Sequence, residues 1–238
     1  MKALAIDCAV SRLVLAAKND DKSCTSIFDI GMRQSETLIP AIEYVLTKAG
    51  LTSADLDYTC LTIGPGSFTG LRLAISALKA IELAYNVPVY GISSLKTYEY
   101  PFLSFNLPVV SVIDANKDKF YARIIDGDKV LLEDGDYELE VITKILMKLD
   151  KFIIAGPDCF KFKNLVKDSI ELSKMITANT LQVTTDALFL LAEKEIELNN
   201  KPLQDYDGPV YLRASEAELV RLLKILRINS SYFLFITF

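Results

Sequence analysis

The order of apolar and polar positions along the chain defines its elements before any composition is considered. Lys2 to Asp7 is a short apolar run closed by an acid, the pattern of a buried strand. Leu13 to Ala17 and Cys24 to Ile30 read as two further strands, and the short polar links between the three predict an antiparallel meander. The period then changes. Leu38, Ile39, Ile42, Val45, Leu46 and Ala49 follow helical spacing within Ser35 to Ala49, with Ser35 as candidate N-cap and Gly50 placed to end the helix. Tyr58 to Ile63 is a strand that runs into Gly64-Pro65-Gly66-Ser67-Phe68-Thr69-Gly70. A second helix is predicted from about Thr69 to Tyr85, followed by a short strand from Val87 to Tyr90 closed by Gly91.

The pattern then starts again. Val109 to Asp114 and Lys119 to Asp126 form a predicted hairpin around residues 115–118. Val141 to Leu149 is a helix candidate, Phe152 to Ala155 a strand, and Asn164 to Leu172 and Thr185 to Asn199 further helices. Strands ending in an aspartate, then strand and helix pairs, occur in both halves, which points to a duplication. The boundary is expected near residues 95–106, where Pro101 and Pro108 flank an irregular stretch. This gives an N-terminal unit at 1–100, a second at 101–225 and an apolar tail at 226–238.

Composition narrows the classes. At 51% hydrophobic residues the 238-residue chain can bury a sizeable core, and its net charge of −5 shows no basic footprint of a free-standing nucleic-acid binder. There is no histidine, which removes Ser-His-Asp and Cys-His catalysis and histidine zinc sites. The cysteines Cys8, Cys24, Cys60 and Cys159 form no C-x-x-C pair and suggest reduced thiols in a cytoplasmic protein. The N-terminus does not read as a signal peptide, and no apolar stretch is long enough to span a membrane. The stretch Tyr232 to Phe238 is strongly apolar, and is expected to pack on the body, to meet a partner or to be a terminal scar.

Three features carry candidate chemistry. The glycine loop, with Gly64, Gly66, Ser67, Thr69 and Gly70 ahead of a helix, reads either as a cradle for a phosphate or carboxylate or as a tight turn with a capped helix. It is neither a Walker A loop nor a dinucleotide fingerprint. Asp7, and Asp114 in the second half, either hold a magnesium ion through water or cap turns. Two such aspartates on two repeats are typical of the actin, hexokinase and Hsp70 fold, an analogy of fold alone. The helix from Thr69 to Tyr85 has one stripe at Leu71, Ala74, Ile75, Leu78 and Ile81, and another at Leu73, Ala77, Ala80 and Ala84. One sheet covers only one face, so the surplus is either deep core or an oligomer interface.

Several stretches resemble one family in collinear order. AIDCAVSRLVLAA at 5–17, QSETLIPAIEYVLTKAGLTSADLD at 34–57, GPGSFTGLRLAISALKAIELAYNVPVYGISSL at 64–95, VIDANKDKFYAR at 112–123 and PVYLR at 209–213 are similar to the TsaB (YeaZ) family, paralogues of TsaD. The stretch at 64–95 is the most specific.

The resemblance implies an α/β protein of the actin-like ATPase (ASKHA, ribonuclease H-like) fold, with two duplicated subdomains of mixed sheets flanked by helices. It implies a non-catalytic platform subunit of the complex that forms N6-threonylcarbamoyladenosine at position 37 of ANN-reading tRNAs. Transfer would be done by TsaD, with TsaE as ATPase partner, and tRNA would be met only through the complex. No metal or cofactor is required by this reading, and any weakly held ATP or ADP with Mg is expected at a partner interface. Pairing would run through the first domain's two helices, with TsaD or, alone, as a homodimer, which puts Leu38, Ile42, Leu73, Ala77, Ala80 and Ala84 at the interface. Gln34 stands where many members carry histidine, and is read as a surface or interface position. An actin-fold small-molecule kinase and a glycoprotease-like peptidase acting through Ser67 are the alternatives.

Overall fold

The computed structural model describes residues 1–31, 33–178 and 183–212. Its first sheet begins with three antiparallel strands, β1 (Lys2–Asp7), β2 (Arg12–Asn19) and β3 (Lys22–Asp29). Asp7 lies opposite Val14, and Leu13 opposite Phe28. After helix α1 (Gln34–Ala49), strand β4 (Tyr58–Gly64) returns parallel to β1. Helix α2 (Phe68–Tyr85) and strand β5 (Val89–Ser93), parallel to β4, complete the order β3-β2-β1-β4-β5.

Both faces of β1 are buried, and its residues alternate in size. Leu4 and Ile6 face a core closed by Leu38, Val45 and Leu46 of α1 and by Ala74 and Leu78 of α2. Ala3 and Ala5 face the other way, where small side chains admit a third helix. Ser35 lies inside α1, one residue past its first, with Arg33 ahead of it and no side-chain cap. Gly50 ends the helix at φ 72°, as its position predicted, with its N–H on the Leu46 and Thr47 carbonyls.

The second sheet repeats the first. Strands β6 (Val109–Asp114), β7 (Lys119–Asp126) and β8 (Lys129–Glu138) form the meander. Helix α4 (Leu139–Leu146), β9 (Phe152–Ala155), helix α5 (Cys159–Val166) and β10 (Met175–Thr177) complete it. The order β10-β9-β6-β7-β8 matches the first sheet strand for strand. This is the duplicated actin-like arrangement, with mixed sheets flanked by helices. β8, β10 and the short helix α3 (Ser94–Glu99) have no counterpart in the sequence reading. α5 starts earlier than the predicted Asn164, because Gly156 at φ 103° turns the chain directly out of β9.

One segment of the second half belongs physically to the first. Helix α6 (Thr184–Glu197) lays Leu188, Phe189 and Ala192 on Ala3, Ala5, Tyr58 and Cys60. Its Glu193 takes the Lys18 ammonium and the Tyr58 hydroxyl, from β2 and β4. The chain beyond it stays there, with the Leu203 N–H on the Val89 carbonyl and the Val210 N–H on that of Ile63. Residue 100 therefore divides the two sheets but not the layers packed on them. The proposed tail at 226–238 lies outside the described residues.

Helix α3 is the wedge between the sheets. Leu95 and Tyr98 pack on Ile113, Val10 and Tyr121. At its end the buried Glu99 carboxylate accepts from the Arg123 Nε–H with both oxygens, at 3.0 and 3.1 Å. Arg123 also reaches Glu133 and Asp134 of β8, and Asp134 takes the Ser93 hydroxyl. Burial pushes the Glu99 carboxyl up from 4.5 to about 7, despite the guanidinium beside it. A carboxyl that holds its proton more tightly folded than unfolded contributes stability below pH 4.5 that is lost as pH rises to about 7. Glu99→Gln is expected to flatten that part of the slope, as read by the difference between wild-type and variant melting temperatures from pH 4.5 to 7.5.

Candidate functional site

Asp7 is the tie-point of the first half. Its carboxylate is 2% exposed, and one oxygen accepts both the Ala9 N–H and the Thr62 hydroxyl, each at 2.9 Å. Burial pushes this carboxyl up, and hydrogen bonding from Ala9, Thr184 and Thr62 offsets part of the rise. The turn so formed, residues 8–11, supports everything around it. The Ser67 N–H donates to the Ala9 carbonyl at 2.7 Å, and the Gln34 amide donates to the Val10 carbonyl at 2.7 Å. Gln34 is thus buried in the intrachain scaffold, which corrects its reading as a surface or interface position.

The glycine loop rests on the same turn. A Cβ at Gly66 would stand 2.3 Å from the Ala9 carbonyl oxygen, and one at Gly70 2.1 Å from that of Cys8. Neither residue has a positive φ; among the loop's glycines that belongs to Gly64, at 120°, where a Cβ would meet the Val210 carbonyl at 2.5 Å. The need for glycine at 66 and 70 is therefore close backbone approach, not handedness. Ser67 caps α2, its Oγ accepting the Gly70 N–H at 3.3 Å, while Thr69 stands exposed in the first turn.

Ser67, Thr69 and Leu73 of α2 meet Gln34 and Ser35 of α1 around a pocket of about 210 Å³. Residues at the N-terminal ends of both helices line it. Beside it Phe68 stacks on Tyr211 with ring centres 4.1 Å apart and planes 5° apart, and the Arg72 Nε–H donates to the Tyr211 hydroxyl at 2.6 Å. Tyr211→Ala is expected to lower the melting temperature by several degrees, from about 1–2 kcal/mol of lost stacking and burial. Tyr211→Phe, which keeps the ring, should lose no more than about half of that in the same calorimetric scan.

The second half repeats the aspartate turn. Asp114 accepts the Asn116 N–H at 3.1 Å, as Asp7 accepts that of Ala9. Both carboxylates cap the turn two residues on, one of the two roles open from sequence. Asp114 also holds the Lys161 ammonium, and its N–H donates to Asp158 at 2.8 Å. The fold class implies a nucleotide with magnesium between the two halves, and the residues here do not fit one. Lys161 already neutralises Asp114, Asp7 is enclosed, and Tyr98, Leu95, Val10, Ile113 and Tyr121 pack between the strand ends. Among the described residues no group of three or more acidic or cysteine side chains is placed to hold a metal. None of their helices is long and apolar enough to cross a membrane.

The six expected interface residues separate. Leu38 and Ile42 are core, packed under the sheet, because the helical period puts them on the side of Val45 and Ala49. Leu73 and Ala77 are half-buried against the same core, and Ala80 and Ala84 are exposed. The large apolar residues that α1 does expose are Ile39 and Tyr44, and α2 adds Leu83, 90% exposed, and Tyr85. Leu83 was legible as the next residue but two after Ala80 on the same face.

Two five-stranded sheets of identical order, with a wedge helix and a glycine loop seated on an aspartate turn, define the class as a duplicated actin-like protein. The crystal structure of an uncharacterized protein with similarity to peptidase YeaZ from Pseudomonas aeruginosa has the same fold, with a TM-score of 0.73 at 20% identity over 89% of this chain and 99% of that one. Residues 31–200 match the family model described as TsaD: tRNA N6-adenosine threonylcarbamoyltransferase. The tRNA threonylcarbamoyladenosine biosynthesis protein TsaB of Bacillus subtilis is 26% identical over 228 residues, 92% of this chain and 96% of that protein. The protein of that name from Escherichia coli is 30% identical over 147 residues, 60% of this chain and 63% of that protein. The chain belongs to this family, as one of its TsaB (YeaZ) members.

Proposed function

We propose that the chain is a non-catalytic platform subunit in the biosynthesis of N6-threonylcarbamoyladenosine at position 37 of ANN-reading tRNAs. It pairs with a TsaD-type paralogue that performs the transfer, works with a TsaE-type ATPase, and meets tRNA only within that complex. In the absence of the paralogue the same face pairs with a second copy. The site of action is the cytoplasm. No cofactor is required by this chain, and ATP or ADP with Mg, where present, sits at the partner interface.

The observation that carries this reading is the outer face of α1 and α2. On α2 the exposed Leu83 lies on one stripe with the small, exposed Ala80 and Ala84, a surface that another helix can approach closely, and α1 exposes Ile39 and Tyr44. The names of the relatives supply the process. A kinase of the same fold would need open space between the halves, where Tyr98 and its neighbours pack. A peptidase would need Ser67 free as a nucleophile, whereas its oxygen caps α2. The test is reconstitution. The purified chain alone is expected neither to hydrolyse ATP nor to transfer threonylcarbamoyl to tRNA, and to be required when the paralogue does so. Steady turnover by the chain alone, or full transfer without it, would overturn the proposal.

A further inference from the structure

The chain's overall negative charge conceals a basic face. We propose that the outer face of α4 and α5, on the second sheet, contacts the phosphate backbone of RNA when the chain sits in its complex. The inference rests on the tRNA reading above and gives that contact a surface on this chain.

The charge is sorted by face. Residues 126–140, which run through β8 into α4, hold seven acids and one lysine, whereas residues 141–167 hold six lysines and two aspartates. α4 and α5 lie on one side of the second sheet. Ile142 and Leu146 of the first helix and Phe162 and Val166 of the second share one core with Val110 and Val112. The helical period then decides what faces out. Lys144 stands exposed on the side of α4 away from Ile142 and Leu146, and Lys148 and Lys151 continue its line into the link to β9. On α5, Phe160, Lys163 and Lys167 follow at i, i+3 and i+7, a single stripe. Of the six lysines, Lys161 holds Asp114, and the other five ammonium groups make no ion pair among the described residues. Such uncompensated charge favours a polyanion, whose counterions are released on contact. Lysine is a point charge on a flexible stem, which suits phosphates met at no fixed angle. Phe160, 52% exposed, adds a ring on which an unpaired base can stack, and a ring among lysines favours RNA over an acidic protein. The matching helix layer of the first sheet presents Ala80, Leu83 and Ala84 instead, so the duplication has left two helix layers suited to different partners.

The experiment uses the full chain in complex with the purified paralogue and a transcript of an ANN-reading tRNA. Binding is read by fluorescence anisotropy from about 50 to 200 mM salt, where each neutralised phosphate contributes about 0.7–0.9 to the slope of log affinity against log salt. Lys144→Gln/Lys148→Gln/Lys163→Gln/Lys167→Gln is expected to reduce that slope by about 3 and to lower affinity by about ten-fold or more, equally for any tRNA sequence. The same four positions changed to arginine should restore both. Lys22→Gln/Lys129→Gln/Lys194→Gln/Lys201→Gln, exposed on other faces, is the control and should keep the wild-type slope. Circular dichroism and light scattering establish that each variant folds and joins the complex. An unchanged slope, or an equal fall in the control, overturns the proposal. Retained tRNA affinity with loss of the ATPase partner also overturns it, since the face would then dock an acidic protein. Full transfer without the chain sinks the platform reading, whereas the basic face is judged on the slope alone.

Discussion

Gly70→Val is expected to cost about 3 kcal/mol or more of folding stability, the upper end of the range for overpacking a tight site. The first added carbon would lie 2.1 Å from the Cys8 carbonyl oxygen and 2.8 Å from the Gln34 amide oxygen. The carbonyl is backbone, fixed on both sides. Cys8 comes directly after the end of β1, and the turn beyond it is held by Asp7 and accepts the Gln34 amide through Val10. For either side to yield, α2 must lift from the sheet, which opens the core around Leu71, Ala74 and Leu78. For a domain of this size the loss corresponds to about 6–12 °C in melting temperature, read by far-ultraviolet circular dichroism. Gly208→Val is the control, since nothing lies within 4 Å of a Cβ built there. Equal melting temperatures for the two variants would show that the loop is not seated on the turn as described.

Leu83→Glu and Ala80→Glu should leave folding intact and weaken association. Leu83 is 90% exposed in the single chain and Ala80 is also exposed, so a charge at either position stays in water there. Against a partner the same carboxylate is desolvated without a counter-charge, at about 3 kcal/mol, or roughly 100-fold in affinity for the paralogue. Titration calorimetry supplies the affinity, and light scattering follows the homodimer. Leu38→Glu provides the contrast. That side chain is fully enclosed beneath the sheet, and the variant is expected to lose the fold rather than the partner. Wild-type affinity in folded Leu83→Glu and Ala80→Glu would move the interface off this face.

How far the chain could be read before its structure depended on the range of the interaction. The first meander, α1, β4 and α2 were legible because each has its own period and stop signal, such as Gly50 after Ala49. β8 was not. Its residues are mostly half-exposed, and the run Glu133-Asp134-Gly135-Asp136 looks like a loop until Arg123 collects two of its carboxylates. α3 was missed because six residues carry too little periodicity, and its role as a wedge comes from Ile113 and Tyr121, far along the chain. In the candidate site, the glycines were found but the reason for two of them was not. A positive φ is a local property that sequence can suggest, whereas the approach of Gly66 and Gly70 to residues 8 and 9 is a tertiary one. The two-faced character of α2 was visible, but the choice between Leu38 and Ile39 as the outward residue of α1 depends on which side the sheet lies.

The position of α6 has a consequence for the order in which the protein is made. The first sheet is complete in strands once Ser93 has been synthesised, and α1 and α2 already cover one side of it. Its other side, with Ala3, Ala5, Ala16, Tyr58 and Ile92, stays open until Leu188, Phe189 and Ala192 arrive about a hundred residues later. In between, the ribosome delivers the whole second sheet. The nascent chain therefore carries a bare apolar sheet face through the middle of its synthesis, which is the kind of surface that chaperones bind. The second half can finish its strands while the first still waits for its last layer, so the end translated first is the end completed last.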